Sequence, residues 1–176
     1  MIDSHAVAQP RIRTWPGALA LVAAAQALPW FVHLVGLPGP VLLPLHFAAI
    51  LAGLALGPVP GLLNGLAAPV VSFLLTGLPP AALIPVMAVE VAAYGGAAGY
   101  LAHRTVWRGG WVILATLAAG RGAALAALGV GGAIFGFGPA AISSVLNGML
   151  VGWPGIALQL LVLSAMARRL APVRRG

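Results

Sequence analysis

Two side chains of opposite charge stand inside long apolar stretches, Glu90 within MAVEVAAYGG and Arg121 within LAAGRGAAL. A charge near the centre of a bilayer costs ~2.5 to 3.5 kcal/mol on insertion scales, so each needs a partner or a purpose. As a pair they would fix the packing of two neighbouring helices. Arg121 also offers a forked guanidinium to a carboxylate or phosphate on a bound solute, with Glu90 holding it in place. The two roles are compatible. His33 and His46 fall at span ends, where a neutral imidazole donates or accepts and is readily satisfied by water or a loop carbonyl. Two histidines without a thiolate or a nearby carboxylate make a weak metal site, so neither a metal nor a cofactor is expected. The chain has no cysteine, which excludes disulfides and thiolate chemistry. It has no lysine either, so Gly57-Pro58-Val59-Pro60-Gly61 is a tight connection and not a phosphate loop. No nucleophile and base are placed at matching depth, and an enzyme is not expected.

The elements that carry these groups follow from composition. Of 176 residues, 61% are hydrophobic and only 6% charged, and the mean hydropathy is +1.06. A soluble domain carries about a quarter of its residues as charges, so the chain belongs in a bilayer. Its nine Lys or Arg residues are all arginine, against two acids, Asp3 and Glu90. A net charge of +7 can signal nucleic acid, but these arginines sit in short clusters between apolar runs and read as topology signals, so no nucleic-acid partner is expected. The apolar runs lack the alternation of barrel strands. The expected fold is therefore an all-α integral membrane protein, a bundle of roughly six spans at ~20 residues each. Breaks at Gly-Pro, Pro-Pro and Arg clusters place them near 17–35, 43–57, 59–76, 82–102, 111–133 and 154–170. Residues 140–152 are apolar but only thirteen long, and read as an extra short helix before the last span.

One membrane domain, 17–170, thus lies between an N-terminal tail, 1–16, and a basic tail, 171–176. Arg11 and Arg13 precede the first span, Arg104 and Arg108 join the fourth to the fifth, and Arg168, Arg169, Arg174 and Arg175 close the chain. Enrichment of Lys and Arg in cytoplasmic loops puts both termini and the 103–110 loop inside. Residues 1–27 have the outline of a signal peptide, but apolar character continues through Leu28, Trp30, Phe31 and Val32, and an uncleaved helix is expected. At 1.5 Å per residue, Glu90 and Arg121 then lie roughly 12 and 18 Å below the outer face, an offset that a long arginine spans between adjacent helices. Small residues recur at intervals of four at Ala20 and Ala24, Ala23 and Ala27, Gly53 and Gly57, and Gly95 and Gly99. Such stripes let helices approach closely, much of it within the bundle. Asn64, Asn147, Ser72, Ser143 and Ser144 are read first as interhelical hydrogen-bonding groups.

In order along the chain, Leu28-Pro29-Trp30, Leu43-Pro44-Leu45-His46, Thr76-Gly77-Leu78-Pro79-Pro80, Glu90-Val91-Ala92-Ala93-Tyr94-Gly95 and Ala119-Gly120-Arg121 make a recognisable series. From about residue 17 to 170 the chain resembles the substrate-binding S components of energy-coupling factor vitamin transporters, in the branch of pantothenate, hydroxymethylpyrimidine and cobalamin binders. Leu45 departs from the methionine usual in that family. The resemblance implies a six-helix bundle in a bacterial cell membrane that captures a vitamin at the outer face under loops after the first and third spans. It implies as partners a transmembrane coupling protein and two cytoplasmic ATPases. Carried over by position, the substrate-binding residues are His46, Pro79, Glu90, Tyr94, Arg121 and Asn147, with Trp30 as a lid. The surface facing the coupling protein is the stripe of Ala20, Ala23, Ala24 and Ala27. Arg121 makes pantothenate the first expectation for the cargo, although a guanidinium neutralised by Glu90 would suit a neutral heterocycle or a larger corrinoid. The competing expectation is a structural membrane protein in which Glu90 and Arg121 merely pair and no solute is carried. Metal-carrying relatives of this family use a histidine at position two, where this chain has Ile2.

Overall fold

The computed structural model describes residues 15–135 and 139–170, all in helices or in the short connections between them. The tails before residue 15 and after 170, with Arg11, Arg13, Arg174 and Arg175, lie outside the described residues. The helices are α1 (Trp15–Leu34), α2 (Gly39–Leu42), α3 (Pro44–Leu56), α4 (Pro58–Thr76), α5 (Ile84–Arg104, entered through a 3-10 turn at Ala81–Leu83), α6 (Gly110–Phe135), α7 (Pro139–Val151) and α8 (Trp153–Leu170).

Proline and glycine set the boundaries. Pro44, Pro58 and Pro85 fall at the first or second helical position, where a missing N–H costs nothing and the fixed φ is already helical. Gly57, at φ 101°, joins α3 to α4 in one residue, and Gly77, at φ 75°, ends α4 with its N–H on the Phe73 carbonyl at 2.8 Å. Both values lie in the region where a Cβ is penalised. The expected second span, 43–57, is α3, and a single turn that was not expected, α2, precedes it: Leu43 adopts the left-handed conformation (φ 52°, ψ 48°) and separates the two. Nothing in the composition of Leu43 announces that break. The short helix expected at 140–152 is α7, bent by 53° against the helix that follows.

α3 is the innermost element, with almost every residue from Pro44 to Ala55 buried. α5 packs along α4, α6 and α3, and α8 closes the bundle against α6 and α3. The α3–α4–α5 contact is a backbone contact. A Cβ on Gly53 or Gly61 would run into the Gly95 carbonyl, one on Gly65 into the Val91 carbonyl, and one on Gly99 into the Gly57–Pro58 peptide. The glycine stripes therefore serve packing within the bundle, where approach this close maximises dispersion contact. Around them Ile50, Leu54, Tyr94, Val112, Ile113 and Leu163 form the main core.

Outside, the molecule is apolar as well: Leu63, Leu74, Leu75, Leu161 and Trp111 are exposed. Among the described residues four helical stretches are long and apolar enough to cross a membrane, Gly39–Leu56, Pro58–Thr76, Ala81–Arg104 and Gly110–Ile134, and the bent α7–α8 pair makes a fifth if it is one span. α1 has twenty residues, many of whose side chains lie outside the described residues, Ala20 among them.

Candidate functional site

One end of the bundle is where α1 and α4 finish and where α2, α3 and α5 begin. A cavity of about 200 Å³ lies there, reaching down between α5, α6 and α7. Its upper wall is built from connections rich in proline, with Pro40, Pro44, Pro79 and Pro80 alongside Leu43 and Leu78. Leu83, Met87 and Val145 line it further down, and Ser72, His46, Glu90 and Arg121 supply its polar groups. The opposite end of the bundle carries the arginines: Arg104 closes α5, Arg168 and Arg169 close α8, and the Arg168 side chain lies against Gly109 at the start of α6.

The polar groups are organised around one oxygen. Arg121 donates from Nη1 to Glu90 Oε1 at 2.7 Å, and the Tyr94 hydroxyl donates to the same oxygen at 3.4 Å. His46 Nε2 stands 3.5 Å from it, long for a hydrogen bond, with the imidazole edge-on to the Tyr94 ring at a centroid distance of 5.0 Å. Glu90 is 4% exposed and His46 4%, so this is an interior charge pair with an imidazole and a phenol packed on it. Tyr94 is in turn held from behind by Gly120, where a Cβ would strike the phenol ring. Among the described residues, four polar atoms of the cavity-lining side chains have no hydrogen-bond partner: Arg121 Nη2, both ring nitrogens of His46, and Ser72 Oγ. A buried donor left unmade costs roughly 1–3 kcal/mol, so these atoms mark where a polar ligand atom would gain most.

The structure thus brings His46, Pro79, Glu90 and Arg121 to one cavity. Tyr94 stands behind Glu90 and supports it without lining the space. Trp30 is half exposed and borders a much smaller cleft between α1 and α4, shared with Pro29, Gln26 and Thr76. Asn147 is exposed on α7 and lies off the cavity, while its neighbour Gly148 lines it. Ala23, Ala24 and Ala27 are exposed on α1. Most of the lining residues are not singled out as ligand contacts by the sequence, Ser72, Met87 and Leu83 among them. Leu83, Met87 and Glu90 are spaced i, i+4, i+7, one face of a helix, so stepping back from Glu90 finds the other two. Ser72 shares its face of α4 with the buried Gly65 and Ala68 at the same spacing.

Among the described residues no three His, Cys, Asp or Glu side chains are gathered to hold a metal ion. Fold and site together define a class: an all-helical bundle with helices apolar enough to cross a membrane and, at one end, a mostly apolar cavity seated on a buried ion pair. Compared with models of known families, with curated proteins and with solved structures, the chain finds no match.

Proposed function

We propose that the chain is the membrane-embedded substrate-binding subunit of an energy-coupling-factor-type importer, crossing the bacterial cell membrane six times with both termini in the cytoplasm. The cavity end then faces outward, since the arginine-bearing end is the one that stays inside. In this reading a vitamin or related small nutrient enters between the proline-rich connections. A transmembrane coupling protein then docks on the alanine stripe of α1, and two ATPases drive inward release.

The observation that carries the reading is the cavity itself. An apolar hollow that meets a buried ion pair, lined by Arg121 and Ser72 with Nη2 and Oγ left unsatisfied on those side chains, has the anatomy of a small-molecule site: apolar walls and a few convergent polar groups. The purified full-length chain should show a thermal or calorimetric response to at least one B-type vitamin and should copurify with a coupling protein when expressed at native level. No response across the vitamins and no coupling partner would sink it.

A second reading has its own observation, the 2.7 Å contact between Arg121 and Glu90. On that reading the pair is only a packing device between α5 and α6. Replacing both residues by neutral isosteres, Glu90→Gln with Arg121→Met, would then leave a stable bundle that differs from the parent in no binding measurement.

A further inference from the structure

Resting on the solute-binding reading, we infer that the cargo is an uncharged, compact molecule, about one substituted ring in size and apolar over most of its surface, presenting one hydrogen-bond acceptor to Arg121 and Ser72. Size comes first. A cavity of about 200 Å³ is a little larger than the ~150 Å³ that holds a benzene ring, and far below what a corrinoid needs. The wall chemistry comes next. Leu43, Leu78, Leu83, Met87, Val145 and the prolines offer nothing to a hydroxyl-rich chain, and each polar group a ligand places against them loses its water without replacement.

Charge decides between a neutral cargo and an anion. Glu90 and Arg121 are the acid and the arginine on this wall, and their formal charges cancel at 2.7 Å. An anion entering would leave an uncompensated negative charge in an apolar enclosure, or would have to pull Arg121 away from Glu90 and leave that carboxylate buried alone. A neutral acceptor avoids both. It takes the free N–H of Arg121 Nη2 and the hydroxyl of Ser72, two of the donors of cavity-lining residues that protein atoms leave unmatched, while the guanidinium keeps its grip on Glu90 Oε1. The paired guanidinium thereby removes the reason for preferring pantothenate. It selects for an acceptor atom in place of a carboxylate.

Three probes of one shape test this on the purified chain: benzamide, benzoate and toluene, with pantothenate as the anionic chain. Benzamide is expected to bind at least about tenfold more tightly than benzoate, because the charge goes uncompensated, and more tightly than toluene, which lacks the acceptor. Glu90→Gln leaves Arg121 unneutralised and is expected to invert the order in favour of benzoate. Leu78→Trp, on the exposed rim of the cavity, is expected to abolish benzamide binding while the ion pair stays in place. Benzoate or pantothenate binding more tightly than benzamide in the native chain, or benzamide affinity unchanged in Leu78→Trp, overturns the inference and leaves the solute-binding reading standing. No response to any of these probes or to any vitamin overturns both.

Discussion

Glu90 Oε1 accepts from Arg121 and Tyr94 and faces His46, and the energetics of the site follow from that convergence. Removing one member of a buried pair strands the other: Arg121→Ala should cost about 3–5 kcal/mol, read as a lowered thermal midpoint in detergent. Adding Glu90→Ala should recover much of that loss, because removing both charges leaves no uncompensated ion. A double variant no more stable than Arg121→Ala would show that the pair's neighbours, and not the charge balance, carry the cost. Tyr94→Phe deletes only a 3.4 Å hydrogen bond and should cost less than about 1.5 kcal/mol, provided the ring stays packed on His46. That an acid and a base stand inside apolar stretches was legible in the chain, since each interrupts an apolar run. Their contact was not, because residues 31 positions apart meet only through the packing of α5 on α6.

The helix pair α4–α5 stands or falls on glycine. Gly95 has the Gly61 backbone where a Cβ would go, whereas a Cβ on Gly96 would sit 3.5 Å from the Leu62 side chain, an ordinary contact. Gly95→Ala should therefore lower the thermal midpoint by the equivalent of about 1–3 kcal/mol or prevent assembly, while Gly96→Ala should be neutral or slightly stabilising through helix propensity. The same contrast recurs one helix away. Gly120→Ala displaces the Tyr94 ring and with it the support of Glu90, so on the proposed solute-binding function affinity should fall; at Gly122, which has nothing within 4 Å, the substitution should leave affinity unchanged. Equal effects at 120 and 122 would disconnect Tyr94 from the site. Intervals of four among small residues point to close approach without naming the partner helix, and only the assembled bundle assigns Gly95 to Gly61 and leaves Ala23, Ala24 and Ala27 of α1 exposed.

Over the whole molecule the polarity is inverted relative to a soluble protein. Among the described residues the outer surface is apolar, Glu90 and Arg121 pair inside, and Arg104, Arg168 and Arg169 stand at one end. Because the chain has no cysteine, single-cysteine labelling gives an unambiguous readout of sidedness. Leu78→Cys, at the cavity end, should react with an impermeant maleimide from outside intact cells, and Val106→Cys, in the connection between α5 and α6, only after permeabilisation; both positions are exposed. The reverse pattern would turn the cavity inward and exclude capture from the medium.

Composition, the arginine clusters and the proline and glycine punctuation determine by themselves that the chain is helical, apolar and segmented near 36–40, 57, 77–80 and 103–110. These are local properties, set by backbone sterics and by transfer free energies that act on each stretch independently. Tertiary structure alone decided that a turn of helix set off by Leu43 precedes the second segment, that Asn147 turns away from the cavity while Gly148 faces it, and that Ser72, Met87 and Leu83 join Glu90 and Arg121 around one space. A rotation of 100° per residue separates a lining side chain from one that faces outward, and which way a uniformly apolar helix turns is settled only by the backbone that its glycines allow to come close.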